Sequence, residues 1–215
     1  MKLTYFCILA VALFLVAAPL AQAQSGGIYI GGGSNFVKSN GSGISGYDAS
    51  SCNPSLDSNC YLNPKLGGFF LGFGGNVMVN KRFGVGAEVS FQPSKDDYGP
   101  FQFRQLFYDF NGIYAPVDEK RVSFKLMGGI GGARTSFSYN STSCVGTAVC
   151  QSSSQSIGSS NHFQLHAGAA VEIMLTDTLM VRPQADFRYI TSFTDVFGRN
   201  VVPGAMVWVG FKIKR

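Results

Sequence analysis

The stretch Leu179-Met-Val-Arg-Pro-Gln-Ala-Asp-Phe-Arg-Tyr-Ile190 decides how this chain is built. Its odd positions are Leu179, Val181, Pro183, Ala185, Phe187 and Tyr189; its even positions are Met180, Arg182, Gln184, Asp186, Arg188 and Ile190. One set is apolar and the other carries three charges. Side chains alternate across a strand with period two, so the segment reads as a β-strand with one greasy and one ionic face.

The same alternation recurs on either side. In 162–175, Phe163, Leu165, Ala167, Ala169, Val171, Ile173 and Leu175 oppose a set that includes His162, Gln164, His166 and Glu172. In 83–92, Phe83, Val85, Ala87, Val89 and Phe91 oppose Gly84, Gly86, Glu88, Ser90 and Gln92; 201–213 repeats the pattern up to Phe211 and Ile213. Weaker copies lie at 66–79, 101–114 and 121–137. A glycine-rich one at 27–37 shows no clear face, which brings the number of strands to eight. Between them 80–82, 115–120 and 176–178 are short turns, whereas 38–65, 94–100, 138–160 and 192–200 are longer loops. An even number of antiparallel strands with short turns at one end and long loops at the other is the layout of a bacterial outer-membrane barrel. Each strand has the ~10 residues needed to cross the apolar band at a tilt of about 45°.

The apolar face then points outward. Only 13% of the residues are charged and 27 are glycine, and Gly84, Gly86, Gly129, Gly131, Gly168, Gly204 and Gly210 all fall on the polar side. Such a side makes a poor water-facing surface. It suits the inside of an eight-stranded barrel, which is only just wide enough for side chains. Phe83, Tyr114 and Phe211 fall near the short-turn ends, and Phe91, Phe163 and Tyr189 near the loop ends, where a bilayer's two interfaces favour aromatic rings.

Residues 1–23 read as a secretory leader. Lys2 is the basic start, 6–18 is apolar, Pro19 breaks the run, and Ala21-Gln22-Ala23 places cleavage before Gln24. The run is too short to anchor in a bilayer. Removal takes Cys7 away and leaves Cys52, Cys60, Cys144 and Cys150. Each pair, 52/60 and 144/150, lies within one Ser/Asn/Gly-rich stretch, lacks metal-site spacing, and belongs to an oxidising compartment, so two local disulfides are expected and no metal or cofactor.

The leader, the glycine-rich alternating strands and the last aromatic strand, 205–213, together resemble the small eight-stranded outer-membrane β-barrel family of the OmpA-transmembrane and OmpX type (porin-family proteins of Gram-negative bacteria). The resemblance spans residues 24–215. It implies an all-β up-and-down barrel, monomeric, with both termini in the periplasm, surrounded by outer-membrane lipid and lipopolysaccharide and folded by the barrel-assembly machinery. Members of that family usually end on an aromatic residue, whereas this chain runs on through Lys212-Ile-Lys-Arg215. The end at Arg215 leads us to expect no peptidoglycan-binding domain.

Chemistry-bearing residues concentrate on the inner face: Glu88, Asp109, Lys125, Glu172, Arg182, Asp186 and Arg188. Buried charges must pair, so these are expected to form an ionic plug, with a narrow ion path as the alternative. The partner of Lys125 is left open between Glu88 and Glu172. His162 and His166 share a face; a rim serine and carboxylate beside one of them would make an acyl-transfer site of the lipid A-modifying kind, but the expectation is rim and interior polarity, and no enzyme. No glycine cluster completes a phosphate-loop motif. A net charge of +5 is spread over scattered bases in an exported chain, which argues against nucleic acid. Lys38, Lys95, Arg104 and Arg199 are placed to meet lipopolysaccharide phosphates. The expected role is structural and interactive, with loops 38–65 and 138–160 facing an extracellular ligand. A small-solute channel, a lipid A-modifying enzyme and a soluble lipocalin-type barrel are the rival readings.

Overall fold

A computed structural model describes residues 25–39, 43–45, 51–53, 55–62, 64–98, 101–145 and 149–214; at 43–45, 51, 98, 140–145, 149–154, 157, 195, 196 and 214 it describes the backbone alone. The leader, residues 1–23, and its cleavage point lie outside the described residues. The strands are β1 (Ser25–Asn35), β2 (Gly43–Ser45), β3 (Ser51–Cys52), β4 (Cys60–Leu62), β5 (Phe70–Met78), β6 (Phe83–Phe91), β7 (Asp96–Tyr98), β8 (Phe101–Asp118), β9 (Val122–Val145), β10 (Val149–Met174), β11 (Leu179–Ile190) and β12 (Val201–Lys214). Eight of them pair in the order β1-β5-β6-β8-β9-β10-β11-β12, every pair antiparallel, and β12 returns to β1 from Ser25–Lys214 to Asn35–Gly204. The barrel is closed, so no strand edge is left open in its wall.

Alternation dictates the two faces. Phe187 is 57% exposed and Arg182 is fully buried, and the same rule runs through β6, β10 and β12. In β1, Tyr29 points inward while Ile28 and Ile30 point out. The outer wall is therefore a belt of exposed Ile, Leu, Val and Phe. Inside, room is short. The indole of Trp208 lies across the backbones of β1 and β5, and a Cβ built on either Gly31 or Gly72 would come within 2.6 Å of it. Glycine is required there by close approach, which explains part of the glycine content of the inner face.

All four of the expected longer loops turn out to have structure of their own. Residues 138–160, expected as a loop, are mostly the outer half of the β9–β10 hairpin, paired as far as Val145–Val149, with an irregularity between Ser156 and Gly158. Beyond the apolar belt both faces of a strand meet water, so no alternation of polarity marks it. Segment 38–65 holds the small sheet β3-β2-β4, and β7 lies in 94–100.

Segment 192–200 turns inward instead of outward. It carries one helical turn, Thr194–Phe197, and drives Phe193 and Phe197 into the mouth of the barrel. There they pack with Val37, Leu66, Phe70, Phe103, Phe107, Ile190 and Val202 as an apolar stopper. The Phe193 and Phe197 rings lie 4.5 Å apart, tilted by 34°, and Phe197 meets Phe103 edge-on at 5.2 Å. Asn200 fixes the loop, its Oδ1 accepting from the backbone N–H of both Phe193 and Thr194 at 3.0 Å.

Candidate functional site

Below the stopper, all seven acids and bases assigned to the inner face are buried. They form two groups. In the larger, Arg182 donates to Glu88 and to Gln184, and Gln184 Nε2 donates to Glu88 Oε2 at 2.8 Å and Asp186 Oδ1 at 2.7 Å. Tyr29 Oη donates to Glu88 at 3.0 Å, and the Arg182 guanidinium lies over the Tyr29 ring at 4.1 Å. Arg188 donates twice to Asp109 Oδ2, at 3.2 and 3.3 Å, and Gln164 donates to Asp109 Oδ1 at 2.5 Å. The Arg188 guanidinium also sits 5.1 Å from the Phe107 ring. A single side chain therefore joins the ionic group to the apolar stopper above it.

The smaller group lies nearer the short turns. Lys125 and Lys212 each donate to one oxygen of Glu172, both at 2.5 Å, and Lys212 is 3.6 Å from Asp118. This settles the partner of Lys125. Lys212 was absent from the set assigned to the network; its place on the inner face of the last strand was the available clue. At this end a recess of about 720 Å³, lined by Lys120, Arg121, Met174, Thr176, Thr178 and Lys212, opens outward.

The histidines separate. His166 is enclosed, with Nε2 2.9 Å from Asp186 Oδ1 and Nδ1 2.7 Å from Asn111 Oδ1. His162 sits at the rim, its Nδ1 3.0 Å from the Thr191 carbonyl and its ring edge-on to Phe193. Neither has a serine hydroxyl as a hydrogen-bond partner among the described residues.

Cys52 and Cys60 are joined by a disulfide with their Cα atoms 5.8 Å apart, and it staples β3 to β4. Cys144 and Cys150 face each other directly across the β9–β10 ladder; their side chains lie outside the described residues. The rim bases fall on two arcs. Lys38 and Arg199 flank β1 and β12, whereas Lys95 and Arg104 lie at β7 and β8, with β8 three strands from β1 and four from β12 around the ring.

A closed barrel with an apolar outer belt, aromatic rings toward both ends and an ionic interior is a transmembrane β-barrel. Residues 7–207 match the family model described as the outer membrane protein beta-barrel domain. The chain belongs to that family and is an outer-membrane protein. No curated protein matches it. Among solved structures it is similar to Neisserial surface protein A, with 14% identity over 89% of this chain and 99% of that one and a TM-score of 0.51. OprG of Pseudomonas aeruginosa is similar at 14% identity over 90% and 98%, with a TM-score of 0.51. Ail of Yersinia pestis, solved with the heparin analogue sucrose octasulfate, is similar at 13% identity over 88% and 98%, also with a TM-score of 0.51. At these identities the likeness is one of fold.

Proposed function

We propose that this is a non-enzymatic, plugged barrel whose work is done outside the membrane, by the raised β9–β10 hairpin and the stapled segment 38–65. The observation that carries the reading is the length of the hairpin. β9 has 24 residues and β10 has 26, against 9 to 14 for β1, β5, β6, β11 and β12. The pairing of β10 with β11 begins only at Gln164–Ile190. From Val149 to Asn161, β10 is therefore paired on the β9 side and, among the described residues, has no strand on its other side. An open edge of backbone N–H and C=O groups held above a rigid barrel is a template for adding a strand from another protein.

The filled interior supports the structural part of the role. The aromatic stopper and the two ionic groups occupy the lumen in successive layers, which disfavours steady passage of solutes. The test uses cells carrying the full-length protein and a second form in which 141–156 are replaced by a two-residue turn. The full-length protein increases retention of cells on matrix-protein-coated surfaces, and the shortened form falls to the level of cells lacking the protein. Equal retention by the two forms contradicts the interactive role. Discrete conductance steps in planar bilayers would favour the channel reading.

A further inference from the structure

Three successive inward positions of β10 climb one side of the barrel mouth: Gln164, His162 and Ser160. Each has an enclosed polar atom with no hydrogen-bond partner among the described residues, namely Gln164 Oε1, His162 Nε2 and Ser160 Oγ. Side chains on one face of a strand follow each other at about 7 Å, so the three form a column.

Their other bonds fix the chemistry of two of these atoms. His162 Nδ1 lies 3.0 Å from the Thr191 carbonyl. A carbonyl only accepts, so Nδ1 carries the proton, and in the neutral ring Nε2 is an acceptor. Gln164 is fully buried. Its Nε2 donates to the Tyr108 carbonyl at 3.2 Å and to Asp109 Oδ1 at 2.5 Å, so Oε1 is an acceptor as well. A buried acceptor without a donor is unfavourable. The stopper brings none: the Phe193 ring meets the His162 ring edge-on at 6.0 Å, and neither Phe193 nor Phe197 has a side-chain donor.

The opposite side of the mouth is apolar. Ala133 stands between His162 and Phe107 in one row of the ladder, and Phe70 stacks on Phe107 at 5.8 Å. Phe70, Phe103, Phe107 and Ala133 belong to the cluster that receives the stopper. A molecule in the stopper's place therefore meets flat apolar surface on one side and acceptors on the other.

The way the stopper is held lets it be replaced. Ser192 has a φ of 55° and Gly198 of 71°, so the helical turn hangs between two left-handed turning points. One of them is a residue with a Cβ, for which that conformation is uncommon. The backbone N–H groups of Phe193, Thr194 and Phe197 bond inside the segment, to Asn200 Oδ1 and to the Phe193 carbonyl. Packing of two rings fastens these residues to the wall, and another aromatic ring can replace such packing in kind.

We propose that the stopper covers a binding site for a small aromatic molecule bearing a hydrogen-bond donor, of the phenol or indole class. The ring takes the place of Phe193 beside Phe103 and Phe107, and its O–H or N–H donates to His162 Nε2. The stopper turns outward about Ser192 and Gly198, so closure and binding compete. The apparent affinity is then scaled by the fraction of molecules whose stopper is out. The site lies inside the mouth and does not rest on the raised hairpin.

The test titrates 2-naphthol and its methyl ether, 2-methoxynaphthalene, into the isotope-labelled barrel refolded in micelles. One detergent concentration is used throughout, so partition into micelles is common to every protein. Saturable NMR shifts of the amides in 102–107 and 188–202 give the affinity, and heat-dependent gel mobility confirms that each variant is folded. F193A/F197A binds 2-naphthol at least about tenfold more tightly than the parent, with F193A and F197A alone falling between. Adding H162L to F193A/F197A lowers the preference for the naphthol over its ether by about fivefold. Absence of saturable shifts in F193A/F197A overturns the proposal, as does equal affinity in that variant and the parent. A preference for the naphthol that H162L leaves unchanged also overturns it.

Discussion

Glu172 shows what a single residue can control in a wall this thin. It is the shared acceptor for Lys125 and Lys212, so Glu172→Ala leaves two ammonium groups enclosed without their acid. Removing one member of a buried ionic cluster costs about 3–5 kcal/mol, and urea unfolding of the refolded barrel in micelles should register that loss. An unchanged midpoint would mean the lysines find other partners. Trp208 makes the complementary demand on volume. Gly72→Ala sets a methyl group 2.6 Å from the indole and should destabilise by about 1–3 kcal/mol. The penalty should shrink in a Trp208→Leu background, because the two sites are in contact and their effects couple.

Among the elements, the segment from Thr191 to Asn200 behaves as a removable part. A double change of Phe193 and Phe197 to alanine withdraws the stopper but leaves every wall pairing in place. Hydrogen exchange in 191–200 should rise sharply while the folded gel mobility persists. Cys52→Ser should likewise loosen the small sheet β2–β4 and leave the barrel untouched, since the bond closes only a short local loop. The same contrast marks what the sequence made legible. Wherever a strand crosses the belt, lipid on one side and packed polar groups on the other impose a period of two, and β6, β10, β11 and β12 could be read with their faces. Where lipid is absent the period vanishes, so the Ser/Gln-rich 151–156 reads as a loop although it is strand. On the inner face of β1, Gly27, Gly31 and Gly33 alternate with few polar side chains, with Trp208 close over Gly31 and Met206 close over Gly33, and composition alone carries no face. Phe193 and Phe197, four apart in a polar segment, were the one hint of the stopper. Which charges pair depends on strands distant in sequence; Lys125 could be placed inside, but its bond to Glu172 came only from the register of β9 and β10.

For the whole molecule, every role rests on the orientation of the pleat: hydrophobic side chains toward lipid, ions enclosed. A closed ladder without free edges in its wall is expected to stay folded in SDS until heated, giving two gel mobilities for one chain. The most direct measurement uses the chain's single tryptophan, Trp208, which lies inside. The parent and a Phe187→Trp variant are each refolded into bilayers of ordinary and of brominated lipid. The variant's added fluorescence should be strongly quenched by the brominated chains and insensitive to aqueous iodide, with the parent far less affected by bromine. An added signal untouched by bromine but quenched by iodide would place Phe187 away from lipid and contradict the account.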